Sequence, residues 1–218
     1  MGLIAIGDVH GCANSLEALI AKIEPAKDDH LIFVGDYIDR GPATKKVIEI
    51  LFELEQRCRC TFLRGNHEAL MLNYLDRGEF DVWRMNGGVD TLNSYRTDRG
   101  SIEIPENHVD FVRRTKLYHD EPNFFFVHAG LRPDITIAEN VAREDEHTFL
   151  WERGHLHARN LKWEKPVVCG HTPHSEPVNE EKLILIDTGC VYYTHPMMGR
   201  LTAVRLPERE FLSVNYQG

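Results

Sequence analysis

The chain has 218 residues, of which 42% are hydrophobic, and its formal net charge is −9 at pH 7. This length and hydrophobic content are sufficient for one domain with an ordinary buried core. The negative charge has the wrong sign for gripping a nucleic-acid backbone. No apolar run approaches the roughly 20 residues of a membrane-spanning helix, so neither a nucleic acid nor a membrane is expected as a partner.

The start of the chain and its cysteines favour a cytoplasmic protein. Residues 1–10 lack the basic start and the small-residue cleavage site of a signal peptide. The five cysteines are odd in number and do not form a paired framework, which suits a reducing compartment. The sequence indicates no particular oligomeric state.

The first third of the chain alternates predicted strands and helices. Apolar runs at residues 3–6, 31–34 and 61–63 predict three strands, and apolar residues at helical spacing between them predict two helices. Such a βαβαβ unit forms a parallel sheet, and ligands bind outside the carboxyl ends of its strands.

The rest of the chain divides into a helical region and a second group of strands. Residues 66 to about 115 are predicted to be mostly helical, and we interpret about 77–115 as a helical insertion in a single domain of residues 1–218. Beyond it, five short apolar runs predict a second sheet. These runs are residues 124–127, 167–169, 183–186, 201–206 and 211–214.

Glycine with Asp, Asn or His recurs directly after the predicted strands. The segments are GDVHG at 7–11, GDYIDRG at 35–41, GNHE at 65–68, HAG at 128–130 and GHT at 170–172. A single Gly-Asp after a strand is usually a turn or a helix cap. Helix capping does not explain why the same kind of turn recurs after successive strands. We therefore expect the ends of five strands to converge on one site.

The side chains of these turns form a plausible set of metal ligands. Six of them offer oxygen or imidazole nitrogen, which are Asp8, His10, Asp36, Asn66, His128 and His171. Six ligands are too many for one tetrahedral ion with an open position, but they suit two ions bridged by a carboxylate and a water. Because the set lacks thiolates, it favours Mn, Fe or Zn.

Taken together and in this order, the five motifs resemble the signature of the phosphoprotein phosphatase family within the calcineurin-like metallophosphoesterases. The resemblance covers residues 7–172, and IDTGC at 186–190 is similar to the bacterial serine/threonine protein phosphatase branch. It implies an α/β fold with a central β-sandwich of two mixed sheets flanked by helices.

The resemblance also implies the cofactors and their ligands. Two divalent ions per chain are expected, with Mn²⁺ favoured and Fe or Zn as alternatives. One ion would be held by Asp8, His10 and Asp36. The other would be held by Asn66, His128 and His171, with Asp36 bridging the two.

Four further residues acquire roles from the same resemblance. His67 would be the general acid, and Asp39 would hydrogen-bond it and stabilise its protonated form. Arg40 and Arg153 would clamp the phosphate oxygens through their planar donors. The adjacent Glu68 is interpreted as a first-turn helix acid and not as a ligand.

The implied activity is hydrolysis of phosphoserine, phosphothreonine and small aryl phosphate monoesters by direct attack of a metal-bridging hydroxide. One alternative is a dinucleoside-polyphosphate hydrolase of the diadenosine tetraphosphate type on the same fold. Related symmetrical enzymes usually read GNHD, whereas this chain reads GNHE at 65–68, which favours the phosphoprotein substrate. A metal-binding scaffold without catalysis is disfavoured because every ligand and His67 are present.

Two weaker patterns are assigned no chemistry. Cys58 and Arg64 match the Cys-x5-Arg of cysteine-dependent phosphatases, but the residues between them are predicted to form a strand instead of a phosphate-binding loop. The remaining histidines, including the pair His155 and His157, are interpreted as surface or structural residues. The loop at 194–199 is either a specificity element or a plain connector.

Overall fold

The strands predicted near the start of the chain lie side by side. In the computed structural model, which describes residues 2–218, the first three strands pair in parallel. They are β1 (Leu3–Ile6), β2 (His30–Phe33) and β3 (Arg59–Phe62). Successive side chains of β1 point to opposite faces of the sheet, so Ala5 packs towards the second sheet while Ile4 and Ile6 pack towards helices.

The last two strands complete this first sheet. β9 (Arg200–Leu206) pairs antiparallel with β1, and β10 (Glu210–Asn215) pairs with β9, giving the order β10-β9-β1-β2-β3. The sequence-based assignment of residues 201–206 and 211–214 to the second sheet is therefore wrong. Pairing with β9 satisfies the backbone groups on the free edge of β1, where Leu3 lies opposite Leu206.

The second sheet has the order β4-β5-β6-β8-β7. Its strands are β4 (Tyr118–Glu121), β5 (Phe124–Val127), β6 (Val167–Cys169), β7 (Val178–Asn179) and β8 (Leu183–Leu185). The three central strands are parallel, and the edge strands β4 and β7 run antiparallel to their neighbours. The predicted fold class is confirmed, since two mixed sheets face each other across a buried apolar layer.

Helices cover the outer faces of both sheets. Those sharing a core with the first sheet are α1 (Ala13–Ile23), α2 (Thr44–Glu55), α3 (Asn66–Arg77), α4 (Phe80–Met85), α5 (Gly88–Ser94) and α6 (Glu106–Arg113). Two short helices, α7 (Ile137–Ala142) and α8 (Glu146–Trp151), pack on the second sheet. Within residues 2–218, no helix has the length and apolar character needed to cross a membrane.

Candidate metal centre and catalytic site

The turns that follow β1, β2, β3, β5 and β6 meet at one edge of the sandwich. Asn66 Oδ1 lies 3.0 Å from His128 Nε2 and 2.9 Å from His171 Nδ1. Asp36 Oδ2 lies 3.4 Å from His128 Nε2 and 3.5 Å from His10 Nε2. Side chains from distant parts of the sequence therefore surround the carboxylate of Asp36.

Asp36 belongs to two groups of donor atoms. One group consists of His10, Asp36 and His67, and the other of Asp36, His128 and His171. Within each group the donor atoms lie within 4.8 Å of one another. A carboxylate shared by two such groups can bridge two cations.

Asp8 lies outside both groups but beside them. Its Oδ2 accepts a hydrogen bond of 2.9 Å from the backbone N–H of His171. Its Oδ1 is buried and has no hydrogen-bond partner among the described residues. Burial, followed by the negative charges of Asp187 and Asp36, raises the pKa of Asp8. A buried carboxylate oxygen in this position fits a ligand to a cation.

Backbone carbonyls orient two of the imidazoles. His128 Nδ1 donates to the carbonyl of Val34 at 2.9 Å, and His10 Nδ1 donates to that of Ile38 at 2.9 Å. Since a carbonyl can only accept, Nδ1 carries the hydrogen in both rings. The lone pair of Nε2 then faces the centre, as is typical of metal-ligating histidines.

The electrostatic environment of the cluster favours the protonation states in which carboxylates and imidazoles bind metal ions. Burial alone would raise the pKa of Asp36, but the positive charge that His128, His67 and His10 carry when protonated holds it below its ordinary value. Burial lowers the pKa of His10 and His128, and it lowers that of His171 to about 2. An ionised carboxylate among neutral imidazoles is the state that binds divalent cations. The residues present therefore fit the expected metal ions.

His67 has one anchored and one free ring nitrogen. Its Nδ1 donates to Asp39 Oδ2 at 2.6 Å, whereas its buried Nε2 has no hydrogen-bond partner within residues 2–218 and lies 3.9 Å from Asp36 Oδ2. Burial alone would lower the pKa of His67, but the carboxylates of Asp36 and Asp39 raise it. This geometry allows the ring to deliver a proton beside the metal donors.

Two residues of the helical region hold Asp39 in place. Trp83 Nε1 lies 2.9 Å and 3.0 Å from the two carboxylate oxygens of Asp39, and Thr91 Oγ1 donates to Oδ1 at 2.7 Å. Both residues are fully buried, on α4 and α5 respectively. Sequence reasoning missed them because they contact Asp39 across 44 and 52 residues without a local motif.

The two arginines lie at different sides of the centre. Arg40 Nη1 lies 2.8 Å from His10 Nε2, so it uses the lone pair that would face a cation. Its guanidinium carbon is 5.6 Å from the ring centre of Tyr192. Arg153 is exposed and donates from Nε to Thr172 Oγ1 at 3.2 Å. The Arg40 guanidinium thus contacts a donor residue, and the Arg153 guanidinium contacts the residue that follows the donor His171.

Glu68 joins the turns that carry the ligands. Its buried carboxylate accepts hydrogen bonds from the backbone N–H groups of Asp36 at 2.9 Å, Tyr37 at 2.9 Å and Gly65 at 2.8 Å. Because these groups belong to the turns after β2 and β3, Glu68 fixes the position of one turn against the other. It contacts backbone, not the donor cluster.

Asp187 is a buried acid to which the sequence assigned no role. It follows β8, and its Oδ1 accepts a hydrogen bond of 2.9 Å from the backbone N–H of Gly189. Burial raises its pKa to about 7, and the charge of Asp36 adds to the effect. Its place directly after an apolar strand, like that of Asp8, was a sequence signal for it.

The backbone of the centre is strained and tightly packed. Of eight non-glycine residues with positive φ in the described chain, five belong to this site, namely His10, Asp36, Asp39, Arg40 and His171. A Cβ on Gly65 would lie 2.0 Å from Asp36 Oδ1, and a Cβ on Gly170 would lie 2.0 Å from Asp8 Oδ1. Close approach of backbone to ligand thus requires glycine in two of the motifs.

The Cys-x5-Arg segment does not form a phosphate-binding loop. The Cys58 thiol is buried and donates to the carbonyl of Leu54 at 3.6 Å, and burial raises its pKa. The Arg64 guanidinium donates to the carbonyls of Arg113 and Thr115 at 3.0 Å and 3.3 Å. Neither side chain contacts the donor cluster.

His155 and His157 lie in different environments, one buried and the other exposed. His155 is 3% exposed and packs against Gly130, where an added Cβ would lie 2.2 Å from its ring. Neither of its ring nitrogens has a hydrogen-bond partner in the part of the chain that is described. His157 is exposed, so the two rings do not form a common site.

The chain matches a known protein family and is similar to known enzymes over nearly its whole length. The family described as calcineurin-like phosphoesterase matches residues 1–201. The chain is 32% identical to the asymmetrical bis(5'-nucleosyl)-tetraphosphatase PrpE of Bacillus mycoides (strain KBAB4), over 96% of this chain and 92% of that protein. It is 29% identical to the enzyme of the same name from Oceanobacillus iheyensis, over 98% of this chain and 92% of that protein.

A solved structure shares the architecture. It is described as that of a candidate diadenosine tetraphosphatase, and it superposes with a TM-score of 0.72 at 22% identity. The match covers 100% of this chain and 94% of the other. At this identity the likeness shows the fold.

Proposed function

Because the chain belongs to the calcineurin-like phosphoesterase family, we propose that this metal-dependent phosphoesterase hydrolyses dinucleoside polyphosphates. The substrate class is the bis(5'-nucleosyl) tetraphosphates. Unequal cleavage of four phosphates, with at least one left on each nucleoside, gives a nucleoside monophosphate and a nucleoside triphosphate. The names of relatives that match nearly the whole chain support this choice.

One structural observation carries the proposal, namely that aromatic side chains lie on two sides of the phosphate-handling groups. On one side, Tyr192 is 36% exposed beside Arg40. On the other, the ring centre of Trp151 is 5.7 Å from that of His171. Trp151 and Asn66 line a cavity of about 360 Å³, which is within the size range of small-ligand pockets.

Two aromatic surfaces match a substrate that carries two nucleobases. Each base can stack on an aromatic ring, whereas a phosphoserine side chain has no flat group to place there. The polyphosphate would then cross the donor cluster between Tyr192 and Trp151. This arrangement is the physical reason for preferring a dinucleotide over a phosphopeptide.

The centre would supply the chemistry common to both substrates. The ions would be held by Asp8, His10, Asp36, Asn66, His128 and His171. When bound, they supply positive charge that neutralises phosphate oxygens and activates water. Arg40 and Arg153 would bind non-bridging oxygens from two sides and orient the phosphorus for attack.

His67 would deliver a proton to the oxygen that leaves. A polyphosphate leaving group is a weak base and needs little protonation, whereas a serine alkoxide is a strong base. The short bond from His67 to Asp39 therefore favours one second activity, namely hydrolysis of phosphoserine or phosphothreonine monoesters at a lower rate. Asp39 would keep the imidazole oriented for either substrate.

Turnover measurements on Mn²⁺-loaded protein test the proposal. We expect kcat/KM for diadenosine tetraphosphate to exceed that for a phosphoserine peptide by at least about tenfold, a difference of about 1.4 kcal/mol. Anion-exchange chromatography should find AMP and ATP in equal amounts. Formation of two ADP would refute unequal cleavage, and a higher kcat/KM for the peptide would refute the substrate class.

A further inference from the structure

A second cluster of potential metal donors lies at the opposite end of the sandwich. It consists of His30, His119 and Glu121. His30 is the first residue of β2, whereas the catalytic carboxylate Asp36 follows the end of that strand. Glu121 lies opposite the first residue of β5, whereas His128 follows the last. The cluster is therefore separate from the phosphoesterase centre.

The three donor atoms converge closely. His119 Nε2 lies 2.8 Å from Glu121 Oε1, and His30 Nδ1 lies 3.5 Å from the same oxygen. All three donor atoms lie within 4.8 Å of one another. The imidazole rings of His30 and His119 stand edge to face, with ring centres 5.2 Å apart.

A third strand fixes the orientation of His30. Its Nε2 forms a hydrogen bond of 2.9 Å with Oγ1 of the buried Thr61 on β3. With Nε2 engaged in this bond, Nδ1 faces Glu121 and the second imidazole. An outer partner that holds the far nitrogen of a histidine is a regular feature of metal sites.

We propose that His30 Nδ1, His119 Nε2 and one oxygen of Glu121 form a zinc site that links the two sheets. Two imidazoles and one carboxylate suit Zn²⁺, with water as the fourth ligand. Zinc–ligand distances near 2.0–2.1 Å place tetrahedral donors about 3.3 Å apart. The separation of 3.5 Å between His30 and Glu121 is close to this value.

Reaching the tetrahedral donor separation requires a small movement of two partly exposed side chains, His119 and Glu121. The 2.8 Å between His119 and Glu121 must open by roughly half an ångström to reach the tetrahedral value. Their side chains are 15% and 26% exposed, so they can shift without disturbing the core. Arg59 and Lys116 influence His30 electrostatically, but both are exposed and screened by solvent.

Because His30 belongs to the first sheet and His119 and Glu121 belong to the second, an ion bound here would join the sheets. An ion that binds the folded chain alone adds to its stability. The site would stabilise the end of the sandwich away from the substrate. It would have no direct part in phosphoester hydrolysis.

Counting zinc in matched variants tests the site. Wild type, His119→Ala and the control His157→Ala, which removes an exposed histidine, are dialysed against the same free Zn²⁺ and measured by elemental analysis. We expect His119→Ala to hold one ion fewer per chain than the control. The affinity of the lost site should fall by at least about 100-fold, since loss of outer partners alone costs 10–100-fold.

The difference of one ion does not depend on how many ions the phosphoesterase centre holds. Turnover of His119→Ala with Mn²⁺ should equal that of wild type, which separates this site from the catalytic one. Should His119→Ala fail to fold by circular dichroism, Glu121→Gln, which keeps the side-chain shape, serves in its place. Equal zinc content in the folded variant and the control would overturn the proposal and leave the cluster a hydrogen-bonded network.

Discussion

Replacing Asp39 by Asn tests whether His67 acts as a proton donor that depends on its carboxylate partner. Trp83 and Thr91 both donate hydrogen bonds to Asp39. In the variant, the amide oxygen should therefore face these donors, and the amide NH₂ should face Nδ1 of His67. The imidazole would then accept at Nδ1 and stay neutral, which is the wrong form for a general acid.

The size of the effect follows from the bond that is lost. His67 Nδ1 donates to Asp39 at 2.6 Å, and both side chains are buried. A hydrogen bond to a charged group contributes about 1.5–3 kcal/mol. At about 1.4 kcal/mol for each factor of ten, Asp39→Asn should lower kcat for a phosphoserine peptide by roughly 10- to 100-fold.

The assay compares three leaving groups at matched metal content. Single-turnover rates of Asp39→Asn are measured on a phosphoserine peptide, diadenosine tetraphosphate and p-nitrophenyl phosphate. The loss should be largest for the peptide because its alkoxide needs a proton most. Asp98→Asn, which changes an exposed acid outside the site, should leave all three rates unchanged.

Equal losses on the three substrates would refute this reasoning. Such a result, in folded protein with an unchanged metal content, would mean that Asp39 orients the site without supplying an acid. An unchanged rate on the peptide would mean that proton donation does not depend on the Asp39 carboxylate.

Four other outcomes follow from the site and its surroundings. Chelators should abolish turnover and Mn²⁺ should restore it with about two ions per chain, so a single Mn²⁺ at saturation would contradict a dinuclear centre. Cys58→Ser should remain active to within about twofold because its thiol lies away from the donors, and loss of activity in the folded, metal-loaded variant would restore a thiol mechanism. Tyr192→Ala should raise KM for diadenosine tetraphosphate by roughly 5- to 100-fold, the value of about 1–3 kcal/mol of stacking, with little change for p-nitrophenyl phosphate. Equal effects on both substrates would exclude stacking. Burial and the neighbouring His174 and His157 lower the pKa of His155 from 6.5 to about 4, so the unfolded chain binds more protons between these values. His155 should therefore contribute a fall of about 3 kcal/mol to the free energy of unfolding as the pH drops through this window, and urea unfolding of His155→Phe should show a smaller fall than wild type.

Strands could be predicted from the sequence where their burial requires a recognisable pattern of apolar residues. β1, β5 and β6 are apolar along their length, and β2 is apolar after its first residue, His30, as is typical of parallel strands covered on both faces. β4 and β7 are short edge strands that are only partly buried, so their sequences carry little apolar signal. Strand patterns also do not identify partners, which is why residues 201–206 were placed in the wrong sheet.

Convergence of the donor turns was predictable because parallel strands end at one edge of a sheet. The residues that hold the donor side chains in place were not predictable from the sequence. Trp83 and Thr91 reach Asp39 only through the packing of α4 and α5. Positive φ at residues such as Asp36 and His171 costs about 1–3 kcal/mol each, and local sequence preferences alone would not place such residues there. Surrounding contacts must hold them, and these contacts form when the chain folds.

The choice of substrate shows where motif comparison reaches its limit. Membership of the calcineurin-like metallophosphoesterases was predicted from the donor turns and is confirmed. The preference for a phosphoprotein substrate, however, depended in part on Glu68 standing where related dinucleotide hydrolases usually have Asp. In the structure the Glu68 carboxylate binds the backbone N–H groups of Asp36, Tyr37 and Gly65, which are part of the scaffold. A residue that holds two turns together does not contact the part of the substrate that differs between a peptide and a dinucleotide. In the proposed function, that part would contact side chains such as Tyr192 and Trp151, which lie outside the five motifs, so discrimination between the two substrates has to be sought there.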